Sequence, residues 1–420
     1  MNAWYINGES LFSGNQPLLY FLVPYRISFF LFVFPETWIF NHVASLFPDF
    51  SIPISALNPR LNPGPQWGIS IIPGLLYDFL LKLPLILADA LVTIFLFKIV
   101  KSEWKDDKTA SFVAAAWFLN PIVIWVSSGW GMNDSLPALF TVLSLYFVLK
   151  GKNSSSVFSL VVATLLKFYA LAIFIPLLAI IWRRSGFRAM LISLVPSTIL
   201  AALASLPLLF VTNPLSYVEP ASSAASQYAG FSVWTSLWLT GSAPNVSAVA
   251  AVLTGISLIA SYYFLLKKQS QHDKLTIVSC FFLIPIIALL LFYKFVGENY
   301  IVWLIPFSAI LTAKSRRIDW THWSISLLSF VSSITDSLLP YYLLPLSPWI
   351  SGLLIGMLGL VAPARVAPTG TAPQGITIGK LFLSGLGVIS FIILLVMLFS
   401  SFKILRQKDV RYVEETFEKA

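Results

Sequence analysis

Cysteine is almost missing from this chain. Its 420 residues hold one, Cys280, set in an apolar run, so no intrachain disulfide and no cysteine-based metal site is possible. Histidine is scarce too: His42, His272 and His322 lie far apart, and none has a neighbour at metal-ligand spacing. No phosphate-binding P-loop, no Gly-rich dinucleotide fingerprint and no GxSxG elbow is present, which argues against chemistry built on a soluble cofactor. No charged leader with a cleavage site precedes the first apolar run, so no removable signal peptide is expected. Charge is the largest deficit, at 11% of residues.

Apolar residues fill that space. They make up 57% of the chain, at a mean hydropathy of +0.83, which is more apolar surface than one water-soluble core could hide. A bilayer core of about 30 Å takes roughly 20 apolar residues per helix, and runs of that quality recur from Leu83 onward. Stretches such as AMLISLVPSTILAALASLPLLFV from Ala189 are continuously apolar rather than alternating, so the backbone must satisfy itself within helices and not in a barrel. The expected fold is an all-α, polytopic transmembrane bundle of about nine to eleven spans, placed in the cell membrane. The net charge of +9 is no sign of nucleic acid, because the basic residues sit in short clusters between apolar runs, where they set orientation.

Those clusters order the topology. Lys101 to Lys108, Lys150 to Lys152, Arg183 to Arg188, Lys267 to Lys274 and Lys314 to Arg317 are all expected on the cytoplasmic side. Residues 109 to 128 would then go out and 132 to 150 return, with Asp134 at the outer turn. The stretch from Asn153 to Trp182 is long for one span, yet both ends want the same side. Two short helices meeting near LKFYA would answer this, with Lys167 at the tip of a hairpin inside the membrane; one tilted helix with Lys167 paired internally is the alternative. Residues 1–82 read as an outer segment with interfacial helices, 83–402 as the transmembrane domain and 403–420 as a polar tail. Trp234 and Trp238, four apart, suggest a further helix lying on the outer surface.

Polar groups gather towards the outer face from distant parts of the chain: Asp49, Asp78, Asp134, Lys167, Glu298 and Tyr300. A membrane enzyme acting on a lipid phosphate needs such a set, since a carboxylate can accept the proton of an attacking hydroxyl and a cation can neutralise the departing phosphate. Each also has a plainer explanation. Asp134 can cap the helix that follows, Glu298 sits at a turn beside Gly297, and Asp78 and Lys82 are spaced as an ion pair on one helix face. Asp89 lies inside a span and needs a partner. Arg60 belongs to a Pro-rich outer segment and could meet a phosphate or only solvent.

Three stretches carry a resemblance: NPIVIWVSSGWGMNDSLPALF from Asn120, ATLLKFYALAIFIPLL from Ala163, and GENYIVWLIPF from Gly297. Together they resemble the GT-C glycosyltransferases, in particular prokaryotic relatives of the GPI-anchor mannosyltransferases. The resemblance, over roughly residues 70 to 315, implies transfer of a sugar, with mannose expected, from a polyprenyl-phosphate donor to a lipid-linked, glycan or protein acceptor at the outer face. It implies a catalytic role for Asp134, and roles for Lys167, Glu298 and Tyr300 on the donor's phosphate and sugar. The family's base is an acid in the first outer loop. Here no helix precedes the matching stretch AWYINGESLFSGNQPLLY, so Glu9 and Asp49 stand as substitutes, with Arg60 as a second phosphate ligand. No metal or other cofactor is required by these residues, although the carboxylates could hold a divalent ion. A transporter or flippase, with Asp78, Asp89 and Lys167 along its pathway, and a non-catalytic membrane subunit are the alternatives.

Overall fold

A computed structural model describes residues 27–52, 74–206, 231–234, 246–267, 273–294, 296–338 and 378–406. Among these, every regular element is helical. Helix α1 (Ile27–Val43) is followed by one helical turn, Pro48–Ser51. Then come α2 (Leu75–Trp104), α3 (Asp107–Phe118), α4 (Ser135–Leu149), α5 (Asn153–Leu166) and α6 (Leu171–Ser185). The rest are α7 (Phe187–Ser205), α8 (Ser247–Lys267), α9 (Lys274–Phe292), α10 (Ile305–Thr312), α11 (Arg316–Leu338) and α12 (Ile378–Arg406).

The chain is a multi-pass integral membrane protein. Six of its described helices are long and apolar enough to cross a bilayer, or seven if the bent pair Asp107–Phe118 and Pro121–Gly129 is one span. Of the nine to eleven expected, the one at residues 348–363 lies outside the described residues, and others are left out of this count for two physical reasons. First, α4 and α5 have 15 and 14 residues, about 22 and 21 Å of helix, so they stop short of a full crossing. Second, α11 carries its polar residues inward. Thr321, His322, Ser326, Ser329, Ser332 and Ser333 are buried, while Trp320, Leu327 and Val331 point outward, so its average hydropathy hides an apolar outer face.

Helix α9 is the central post, with 89% of its apolar window buried, against 17% for α7 and 22% for α8 at the edge. In α2 the buried positions Tyr77, Leu81, Leu85, Ala88, Val92, Leu96 and Ile99 recur at helical spacing and form the stripe that packs inward. The helix begins at Leu75, eight residues before the boundary expected at 83, and keeps Pro84 inside it. Helix α1 docks on its first turns through Phe40 against Tyr77, at 5.3 Å between rings, and through the Thr37 and Tyr77 hydroxyls at 3.2 Å.

The basic clusters converge on one face. Asn153 donates to the Ser185 hydroxyl at 3.0 Å, and the Arg184 guanidinium donates to the Val148 carbonyl at 2.7 Å. Lys274 reaches the Leu149 carbonyl, and Asp273 accepts from the Trp104 indole at 2.8 Å and pairs with Lys314 at 3.2 Å. The start of α5 and the end of α6 therefore lie on this basic face, and the break between them lies away from it. This is the two-short-helix solution, with Lys167 at the tip. The Trp234 indole donates to the Phe292 carbonyl at 2.8 Å, tying it to the end of α9. Trp238, Glu9, Arg60 and the tail beyond Arg406 lie outside the described residues.

Candidate functional site

The site is assembled where three helical runs are interrupted. Before α4, Asn120 caps the turn Pro121–Ile124 by accepting from the Ile122 amide, and the chain then widens into a π turn, Trp125–Gly129. Gly129 is required there, because a Cβ would lie 2.5 Å from the Trp125 ring. Gly131, at φ +71°, reverses the chain, and Asp134 opens α4. Between α5 and α6, Lys167 is fully extended at φ −153°, ψ 133°, which aims its side chain across at α4. After α9, residues Glu298–Trp303 form a 3₁₀ turn, in which side chains three apart eclipse; this lays Tyr300 over Trp303 at 4.0 Å.

Asp134 stands at the centre, fully buried, with three donors on its carboxylate. Oδ1 accepts from Lys167 Nζ at 2.6 Å and from the Trp303 indole at 2.6 Å, and Oδ2 accepts from the Asn299 amide at 2.8 Å. Trp303 is sandwiched between Tyr300 and Tyr169, the latter parallel within 9° at 4.0 Å. The Lys167 ammonium lies 5.4 Å from the Tyr300 ring and 5.7 Å from Trp303, so the aromatic faces shield the cation that the carboxylate neutralises. Helices of 15 and 14 residues separate this pair from the basic face by roughly 20 Å, well within bilayer depth.

The structure thus brings together Asp134, Lys167 and Tyr300 from the predicted set. Glu298 is close in sequence and buried, and its Oε1 accepts from the Ser332 hydroxyl of α11 at 3.0 Å. Asp78 and Lys82 form the predicted ion pair at 2.8 Å, and Gly131 sits against the Lys82 stem. Asp89 is buried beside Ser127 and Ser135. Asp49 is exposed on the turn Pro48–Ser51 and joins none of these groups, and Glu9 and Arg60 are outside the described residues. Among the described residues no three His, Cys, Asp or Glu side chains are placed to hold a metal ion. Asn299 and Trp303 were missed, although both stand in the stretch GENYIVWLIPF; an indole and an amide in an apolar run next to Glu298 were the available signal.

Chemically, the arrangement is a closed clamp. Three donors occupy three of the about four lone-pair sites of the Asp134 carboxylate, leaving one on Oδ2, and the Lys167 cation beside it is already paired. Asp134 is fully buried, so an incoming hydroxyl reaches it only if the packing around it opens.

Residues 68–248 match a family described as GPI transamidase subunit PIG-U. The matched region is under half of the chain; it contains Asp134 and Lys167 but stops before Glu298. No curated protein matches the chain. The match corrects the expectation of a sugar transferase using a polyprenyl-phosphate donor, since the family is described as a subunit of a transamidase. The three stretches that resembled GT-C enzymes do converge in space, and what they build is the buried clamp.

Proposed function

We propose that this chain is a non-catalytic, multi-spanning subunit of a membrane enzyme complex, of the kind the matched family's description names, a GPI transamidase. The observation that carries this reading is the match over residues 68–248. The clamp supports it: Asp134 and Lys167, two of the charged residues that resembled a transferase site, lie inside the bundle and pair with one another, as expected of groups that hold helices in register. The partners are other membrane proteins, and the enzyme's chemistry resides in them. On the positive-inside rule, the basic face is cytoplasmic and the clamp lies in the outer half of the bilayer.

The test is purification of the tagged chain from its native membranes in mild detergent. The expected result is a complex heavier than the 46.6 kDa chain, containing other membrane proteins at fixed stoichiometry, whose enzymatic activity is lost when the chain is deleted. The isolated chain should transfer no sugar from polyprenyl-phosphate mannose. A chain that runs alone, and whose deletion leaves every such activity intact, would overturn the reading.

A further inference from the structure

On the basic face, the ends of α2 and α4 enclose a cleft of about 470 Å³ lined by Lys98, Lys101, Ser102, Lys105, Asp107, Tyr146 and Lys150. Its geometry follows from helical spacing. Lys98, Lys101, Ser102 and Lys105 stand at i, i+3, i+4 and i+7, one stripe of α2 continued onto the residue after it, and Tyr146 and Lys150 stand four apart along α4 and its cap. Beneath the lysines the two helices touch through Phe95 and Tyr146, edge to face at 5.4 Å, which makes an aromatic floor.

The charge is unbalanced. Lys101 pairs with Asp107 at 3.1 Å, but Lys98, Lys105 and Lys150 have no ion-pair partner among the described residues. Of the nearby acids, Asp106 caps α3 through the Lys108 and Thr109 amides. Lys98 lies 5.8 Å over the Phe95 ring, nearly two turns in from the end of α2, where its stem can run along apolar surface while the ammonium reaches up to the headgroup layer.

We infer that this cleft binds the headgroup of an anionic phospholipid. Its position at the basic end of two membrane-embedded helices puts the lipid headgroup layer against it. Three ammonium groups with no ion-pair partner among the described residues and the Tyr146 hydroxyl match a phosphate, and the aromatic floor matches the first carbons of the acyl chains; the Ser102 hydroxyl is held by the Ile99 carbonyl at 3.2 Å.

The experiment is native mass spectrometry of the purified full chain titrated with phosphatidylglycerol or phosphatidylcholine. The wild type should retain phosphatidylglycerol preferentially. At about fivefold per lysine, the variant Lys98→Gln/Lys105→Gln/Lys150→Gln should lose tenfold or more of that affinity. Lys267→Gln/Lys403→Gln, which removes two charges elsewhere, should stay within about twofold, below the one-lysine effect. Lys98→Gln alone should show a partial loss, which keeps the test open if the triple variant is unstable. Equal retention of the two lipids, equal losses in the triple and control variants, or full competition by millimolar inorganic phosphate would each overturn the inference, the last by showing a site for soluble phosphate.

Discussion

Removing the Asp134 carboxylate should loosen the bundle itself. In Asp134→Ala the Lys167 ammonium, only 12% exposed, loses its counter-ion, and the Trp303 indole and the Asn299 amide lose their acceptor in the same step. Breaking one side of a buried ion pair costs about 3–5 kcal/mol, because the remaining charge stays buried and uncompensated. Against a total stability of about 5–15 kcal/mol this is a large share, and it raises the unfolded fraction by roughly 10²- to 10⁴-fold. The double variant Asp134→Leu/Lys167→Met removes both charges at once and should melt above Asp134→Ala, since apolar replacement of a buried pair is often close to neutral. Thermal unfolding of the purified chain in detergent measures both, and native gels of the membranes report assembly. A clamp predicts that melting temperature and assembly fall together. Asp134→Ala that melts and assembles like the wild type, while the complex loses its activity, would refute the reasoning and make Asp134 a group of the chemistry.

Trp303→Phe keeps a ring between Tyr169 and Tyr300 but drops the donor to Asp134, and should cost about 1–3 kcal/mol in the same unfolding assay, less than Trp303→Leu, which loses the stack as well. Gly74→Ala would put a Cβ 2.6 Å from the Phe50 carbonyl oxygen and 2.8 Å from that of Ile52, so it should push the turn Pro48–Ser51 off the start of α2 and speed proteolysis near residue 50. Burial raises the pKa of Asp273, but the donors on it, the Trp104 indole and the Thr276 amide and hydroxyl, with the Lys314 ammonium nearby, more than offset this and leave it below the usual carboxylate value. A depressed folded pKa means that stability is present above the unfolded value near 3.8 and lost as the pH falls through the folded one. Asp273→Asn should therefore melt below the wild type at neutral pH, and the gap should close in an acid titration below about pH 4.

Much of the architecture could be read from residue order, because the bilayer imposes strong rules. The basic clusters at Lys101, Lys150, Arg183 and Lys274 meet on one face, and of the two solutions open between Lys150 and Arg183, a break at Lys167 or one tilted helix, the structure takes the break. Two things stayed hidden. The register of the outer segment depends on Gly74 and on the docking of Phe40 against Tyr77, contacts between residues that nothing in the local pattern couples. The inward partners of α11 are the second: residues 321–339 read as a possible span, but the serines and His322 that lower its average hydropathy satisfy Asn120, Ser308, Trp125 and Glu298 inside the bundle, contacts that no window average contains.

The site exposes a sharper limit. An ionisable residue inside a membrane span is costly, so Asp134 and Lys167 had to have a reason to be there, and two reasons predict the same residues in the same stretches. A catalytic pair and a structural clamp both need opposite charges brought together from helices far apart in the sequence. The donors on the carboxylate bear on the choice, and two of the three come from Asn299 and Trp303, more than 160 residues away along the chain. The proposed structural role uses all three to tie α4, the α5–α6 break and the 3₁₀ turn together, with the paired Lys167 ammonium beside two aromatic faces. Motifs of the kind found at Asn120, Ala163 and Gly297 can therefore persist in a chain for the sake of its fold, and a resemblance resting on them reports shared architecture before shared chemistry.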